Sequence, residues 1–254
     1  FLRDLAGEDS ADTAGHLSVV QLLQTARGAA AARAELARLS AANDGTDKGR
    51  LYAAMIASMD FEAGQPEAGI ARLRAALDGA EPGTQTRQLQ VMLARMLART
   101  NARDDSRALI DQVLQEDSSN VEALKMQAGW LIDSDNPGEA IVALRTALNQ
   151  NPQDPETLTL MALAHERDGD INLMGERLAL AVEVSGSSVP ETLRYARFLL
   201  EQGRDQVAVS VLEDARLRAP ENADLLLMLA DSHLRAHAWP CLLYTSPSPR
   251  DRAR

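Results

Sequence analysis

An all-α fold, a right-handed α-solenoid of antiparallel helix pairs, is what three features of this 254-residue chain predict. Aromatic residues make up only 3% while hydrophobic residues reach 45%. A core must therefore be built from Ala, Leu, Val, Ile and Met, which suits closely packed helices better than aromatic-rich strands. Apolar residues recur at helical spacing in paired patterns, separated by turn residues such as Asn136-Pro137-Gly138, Asp168-Gly169-Asp170 and Gln202-Gly203. The pattern also repeats itself every 34 residues over much of the chain.

Taken in order, 1–12 reads as the last helix of a preceding unit, with Phe1 at repeat position 24. Two degenerate units, 13–49 and 50–86, are each three residues longer than those that follow, the extra residues being expected in turns. Units of 34 residues then run 87–120, 121–154, 155–188 and 189–222, and 223–240 supplies a first helix only. The eighth position of successive units holds Ala57, Ala94, Ala128, Ala162, Ala196 and Ala230. Position 24 holds Leu73, Ile110, Leu144, Leu178 and Leu212, and position 27 holds Ala76, Val113, Ala147, Ala181 and Ala215. Positions 4, 7, 8 and 11 share one face of the first helix, and 20, 24 and 27 share one face of its partner. Small residues at 8 and 20 let the two axes approach, and a larger side chain there would overpack the contact at about 1–3 kcal/mol. One such hairpin cannot bury both its faces, so stability must come from stacking neighbours.

These residues resemble the tetratricopeptide repeat (TPR), whose pattern has small residues at positions 8 and 20, a bulky apolar residue at 24, Ala at 27 and Pro at 32. The match is good at Ala140, Leu144, Ala147 and Pro152, and again at Ala208, Leu212, Ala215 and Pro220. It departs at position 11, usually aromatic, which holds Leu97, Leu131, His165, Leu199 and His233, and at Gly186, which replaces one proline. The resemblance implies a superhelical scaffold or adaptor that binds protein or peptide segments in a concave groove. A looser similarity links such degenerate Ala/Leu/Arg-rich arrays to envelope-associated TPR proteins of exosortase and exopolysaccharide systems. Two other readings stand beside the adaptor: the regulatory TPR portion of a larger glycosyltransferase- or sulfotransferase-like enzyme, and a module that self-associates through an uncapped C-terminal end.

The segment 241–254 breaks the pattern. Its CLLYTSPSPRD resembles the translation of a sequencing-adapter read-through and is expected to be non-native; the alternative is a Ser/Pro-rich tail. Without it the chain has no cysteine, and thiols say nothing of its redox compartment. The helix from Asp224 onward would then lack the partner that covers Leu226, Leu229 and Ala230, and its end should fray.

Charge and composition narrow the function. A formal net charge of −11 argues against nucleic acid or anionic lipid, whose affinity comes from clustered Lys and Arg. Only Lys48 and Lys125 are lysines among 26 basic residues, which with the abundant alanine points to a GC-rich, bacterial coding sequence. No apolar run approaches the roughly 18–20 residues that span a bilayer. Compartment stays open between cytoplasm and periplasm or envelope, because any leader would lie upstream of Phe1.

No catalysis, cofactor or metal is expected. His165 and His233 occupy a packing position, and His233 with His237 has the spacing of helical metal ligands but no third ligand in a recognisable motif. Asp168, Asp170 and Asn172 imitate the start of a calcium loop whose required glycine is Leu173 and whose closing glutamate is Ala179, so a hairpin turn explains them better. Met55, Met59, Met92, Met96 and Met126 read as core or groove filler. The TPR resemblance places the groove at first-helix positions 2, 5, 9, 12 and 13. There stand Arg95, Arg99, Lys125, Arg167, Arg197 and Arg235, with Leu163 and Leu193 among them, which would suit protein or peptide segments, acidic ones included. Glu122, Asp133, Glu156, Glu166, Glu201, Asp224 and Asp231 share the face, so an ordinary solvated mixture remains the alternative. The asparagines of chaperone-tail receptors are absent: Met126, Gly129, Leu160 and Leu163 stand in their places.

Overall fold

A computed structural model describes residues 13–236, which contain thirteen α-helices and no strand among the described residues. The expectations for 1–12, His237 and the tail 241–254 with Cys241 lie outside them. The chain divides into two compact units, one ending at Ala123 and the other beginning at Leu124.

The first unit holds α1 (Thr13–Arg27), α2 (Ala29–Ala42), α3 (Asp47–Glu62), α4 (Pro66–Leu77), α5 (Thr84–Ala98) and α6 (Arg103–Glu116). Consecutive helices pack as hairpins, and α3 also packs on α5, so first helices stack on first helices. Among the described residues, one cluster of its core gathers around Ala54, Ala57, Leu73, Leu93 and Leu97 and another around Val20, Leu36, Leu39, Tyr52 and Ile56. Met92 and Met96 lie in or against the former, and Met55 and Met59 against the latter. Close approach of α3 and α4 depends on Gly69: a Cβ there would stand 2.6 Å from the Ala57 carbonyl oxygen. At the next hairpin the fully buried Ser106 hydroxyl donates 2.6 Å to the Ala94 carbonyl, so a small polar residue does the same service with its hydroxyl satisfied.

The helices α3 and α5 begin at Asp47 and Thr84, three residues ahead of the repeat starts read at Arg50 and Arg87. Part of the extra length therefore extends first helices instead of lying wholly in turns. For α3 the reason is a cap: the Thr46 hydroxyl accepts from the Gly49 amide at 3.2 Å, which satisfies one of the unpaired donors of the first turn.

Helix α7 (Val121–Asp133) contains the division between units. The second unit continues with α8 (Pro137–Gln150), α9 (Pro155–Asp168), α10 (Ile171–Val184), α11 (Val189–Glu201), α12 (Asp205–Arg216) and α13 (Ala223–Ala236). From α8 onward neighbours pack in chain order, and α13 also packs on α11. Its core joins Ala162, Leu178, Ala196, Phe198, Leu199, Ala208, Leu212, Leu225 and Leu229. Removing a leucine such as Leu199 from water contributes about 1.5–3 kcal/mol. The Asp168-Gly169-Asp170 segment is a hairpin turn: Gly169 takes the left-handed conformation at φ 81°, and the Asp170 carboxylate caps α10 by accepting from Leu173 N at 3.1 Å. Asp154 caps α9 likewise through Thr157 N.

One expectation for the last helix needs correction. Leu229 is buried in the core, whereas Leu226 and Ala230 are exposed. A helical step of 100° sets Leu229 toward α11 and α12 together with Leu225, and turns Leu226 and Ala230 outward.

Candidate functional site

In the first unit the two arginines expected in a groove are engaged by their neighbours. Arg95, on α5, donates to the Glu122 carboxylate. Arg99, at the C-terminal end of the same helix, lies with its guanidinium carbon 4.9 Å from the centre of the Phe61 ring, a cation–π contact. Two further arginines, which sequence reasoning passed over, converge on Asp60 in α3. Arg33 of α2 donates through Nε at 2.8 Å and through Nη2 at 3.3 Å, and Arg72 of α4 donates through Nε at 3.1 Å. Asp60 is only 4% exposed, and its hydrogen bonds to Arg33 hold its carboxyl below the usual carboxylate range against the opposing effect of burial. No local signal marks this cluster, because Arg33 lies 27 residues from its acceptor.

In the second unit Lys125 is 6% exposed and its ammonium pairs with Asp154 at 3.4 Å and with Glu156. It is a structural cation, and a ligand would have to break those pairs to reach it. The other candidates divide between two adjoining depressions. One, of about 530 Å³, lies between α11 and α13, with Leu193, Leu200, Leu227 and Met228 supplying apolar surface and Arg197, Glu201, Asp224, Asp231 and Arg235 supplying charge. The second, of about 150 Å³, is lined by Leu163 and Glu166 from α9, Met174 and Leu178 from α10, and Arg194, Arg197, Phe198 and Glu201 from α11. Arg197 and Glu201 line both, so Leu163, Leu193, Arg197 and Arg235 are brought onto one face of first helices. Arg167 is exposed and lines neither.

The electrostatics of this face are mixed. Arg235 pairs with Asp231 at 2.9 Å along its own helix, whereas Arg197 forms no ion pair among the described residues. Carboxylates outnumber guanidiniums by one in the larger depression. Apolar surface flanked by both signs of charge can hold a segment that presents apolar side chains and donors or acceptors alternately, and it contains no nucleophile placed beside a base.

His165 and His16 pack inside, whereas His233, expected at the same packing position as His165, keeps a side chain that is 43% exposed. His165 is buried in α9, its Nδ1 has no hydrogen-bond partner, and burial pushes its pKa below the ordinary histidine value. His16, also buried, has Nδ1 3.0 Å from the Tyr52 hydroxyl. Glu213 approaches His233 at 3.6 Å. No group of three or more potential metal ligands occurs among the described residues, and no helix of these residues is long and apolar enough to cross a membrane.

No protein-family model matches the chain, and no curated protein matches it. Solved structures do. A thermophilic TPR protein of Thermus thermophilus, TTC0263, is 14% identical, with a TM-score of 0.60 over 73% of this chain and 99% of that one. A tetratricopeptide repeat protein of Parabacteroides merdae is 10% identical, with a TM-score of 0.57 over 90% of this chain and 95% of that one. A chain of the APC/C hetero-tetramer Cut9–Hcn1 is 12% identical, with a TM-score of 0.66 over 91% of this chain and 44% of that longer one. Helical hairpins, small residues at their crossings and these likenesses agree on one architecture: the chain has the tetratricopeptide-repeat fold.

Proposed function

We propose that the chain is a non-catalytic scaffold or adaptor that captures protein or peptide segments on the first-helix face of its second unit. The observation that carries this reading is the pair of adjoining depressions around Arg197, in which apolar side chains from α9, α11 and α13 lie beside charged groups of both signs. A rigid helical wall with apolar surface and a polar rim is the kind of surface on which a short segment can be held by a few anchors. The likeness to a chain whose structure is that of a hetero-tetramer supports an interaction role of this sort.

The balance of charge supports an amphipathic segment over a uniformly acidic one. Glu201, Asp224 and Asp231 would repel a run of carboxylates as strongly as Arg197 and Arg235 would attract it, and Lys125, Arg95 and Arg99 have partners already. The test is a selection of binders from a random peptide display library against the whole chain, followed by titration of the selected peptides against Leu193→Glu and Arg197→Glu. The expected result is peptides with two or more apolar anchors whose affinity falls at least tenfold with either substitution while the helical melt is unchanged. Recovery of no binders, or binders indifferent to both substitutions, would overturn this reading.

A further inference from the structure

Helix α13 carries two apolar faces. Leu225, Met228, Leu229 and Ser232 turn inward, where the first three pack with α11 and α12. On the opposite side Leu226 is 40%, Leu227 71% and Leu234 58% exposed, and Ala230 between them is exposed as well. These four fall at i, i+1, i+4 and i+8, which is one continuous stripe along a helix. Ala162 and Ala196, at the matching positions of α9 and α11, are fully buried, so the open alanine sets α13 apart from the first helices before it in the same unit.

The charges beside the stripe say what fits it. Asp224, Asp231 and Arg235 run along one flank, the acid nearest the N-terminal end and the base nearest the C-terminal end. Laid antiparallel on a copy of itself, the stripe meets an identical stripe and brings Asp224 toward Arg235 at both ends. Laid parallel about a two-fold axis, the two copies of this flank fall on opposite sides of the contact and the Asp224–Arg235 pairing is lost. A lipid surface would require a flank rich in lysine and arginine, and this one holds two carboxylates to one guanidinium. Alanine at the centre permits the close axial approach that helix pairs use.

We propose that a second copy of the chain covers this stripe, α13 packing antiparallel on α13 about a two-fold axis. Such a contact is self-complementary, each surface meeting its own copy. One 14-residue helix is about 21 Å long, so the contact is small and the dimer is weak and concentration-dependent. Leu227, Asp231 and Arg235 also line the larger depression, so the dimer covers part of the face proposed for peptide capture.

Sedimentation equilibrium of the whole chain, from low micromolar to near-millimolar concentration, tests this. The wild-type chain should pass from monomer to dimer across the range, and Leu227→Glu with Leu234→Glu should remain monomeric with an unchanged helical melt. Asp224→Arg or Arg235→Asp alone should weaken the dimer about fivefold to tenfold at low salt, and the two together should restore it. Leu193→Glu, which breaks the peptide face without touching the stripe, should leave the dimer intact and so separates this inference from the preceding one. A wild-type chain that stays monomeric, a dimer unaffected by the paired Leu→Glu change, or a double charge exchange that fails to restore association would each overturn it.

Discussion

In the first unit Arg33 and Arg72 converge from α2 and α4 on the buried carboxylate of Asp60, whereas in the second Arg197 stands at the rim of two depressions and forms no ion pair among the described residues. Both lie on helices packed by the same plan, with fully buried alanines at the hairpin crossings and a core of leucine and valine or isoleucine. What differs is the residue that faces the arginine. A buried acidic residue inside a hairpin ties the guanidinium to the fold, whereas the exposed Glu201, Asp224 and Asp231 share a depression with Arg197 and leave it at the surface. Identical helical architecture thus yields a cross-braced unit and a unit with charge to offer, and arginine content alone does not distinguish them.

If the two units differ in surface chemistry and not in core, truncating a buried leucine should cost the same in each. Leu73→Ala and Leu212→Ala remove fully buried side chains and should each destabilise by about 3 kcal/mol in denaturant unfolding. A difference of more than about 2.5 kcal/mol between them would break the comparison at its root, beyond the spread that cavity relaxation allows.

Removing the brace should come next in size. Asp60→Ala loses three charge-assisted hydrogen bonds, but Arg33 and Arg72 are partly solvated and can turn to water, so the expected loss is about 2 kcal/mol, with hydrogen exchange accelerated chiefly in α2, α3 and α4. A loss comparable to that of Leu212→Ala would mean that the arginines cannot relax.

Acid should distinguish the two sites by pH window. Asp60 has its pKa lowered by the Arg33 hydrogen bonds, so its contribution is complete above the unfolded value near pH 4 and is lost as pH falls through the lower folded value. His165 has its pKa lowered by burial, so the unfolded chain takes up a proton first, and stability declines from about pH 6.5 downward. His165→Phe should therefore flatten the stability profile just below pH 6.5 and leave the more acidic limb, while Asp60→Ala should do the reverse. Unfolding midpoints measured across both windows would check this, and a profile unchanged by His165→Phe would count against a neutral buried imidazole.

The smallest effect should be that of Arg197→Ala on stability, within about 0.5 kcal/mol, because the side chain is exposed and braces nothing. A larger loss would place Arg197 with Arg33 and Arg72 as a structural arginine and remove the contrast between the units.

The sequence by itself determined the helical hairpins, their order and the residues at their crossings. Ala57, Ala94, Ala162 and Ala196 were legible from spacing alone, and each is fully buried. His165 was legible as a packing residue for the same reason, and Asp168-Gly169-Asp170 as a turn from its composition. These properties are local: a period of 3.6, a cap or a glycine acts within a few residues. Tertiary structure alone decided which cations are available. Lys125 is tied to Glu156 across 31 residues, Arg95 to Glu122 across 27 and Arg72 to Asp60 across 12, so face positions that look equivalent along the chain are not equivalent in space. It also decided that Leu229 is covered while Leu226 and Ala230 are open, because burial depends on which helices lie alongside and not on the helix's own pattern. A repeat period states that hairpins stack; it carries no term for the charge across the gap, which is set by residues that only folding brings within about 3–4 Å.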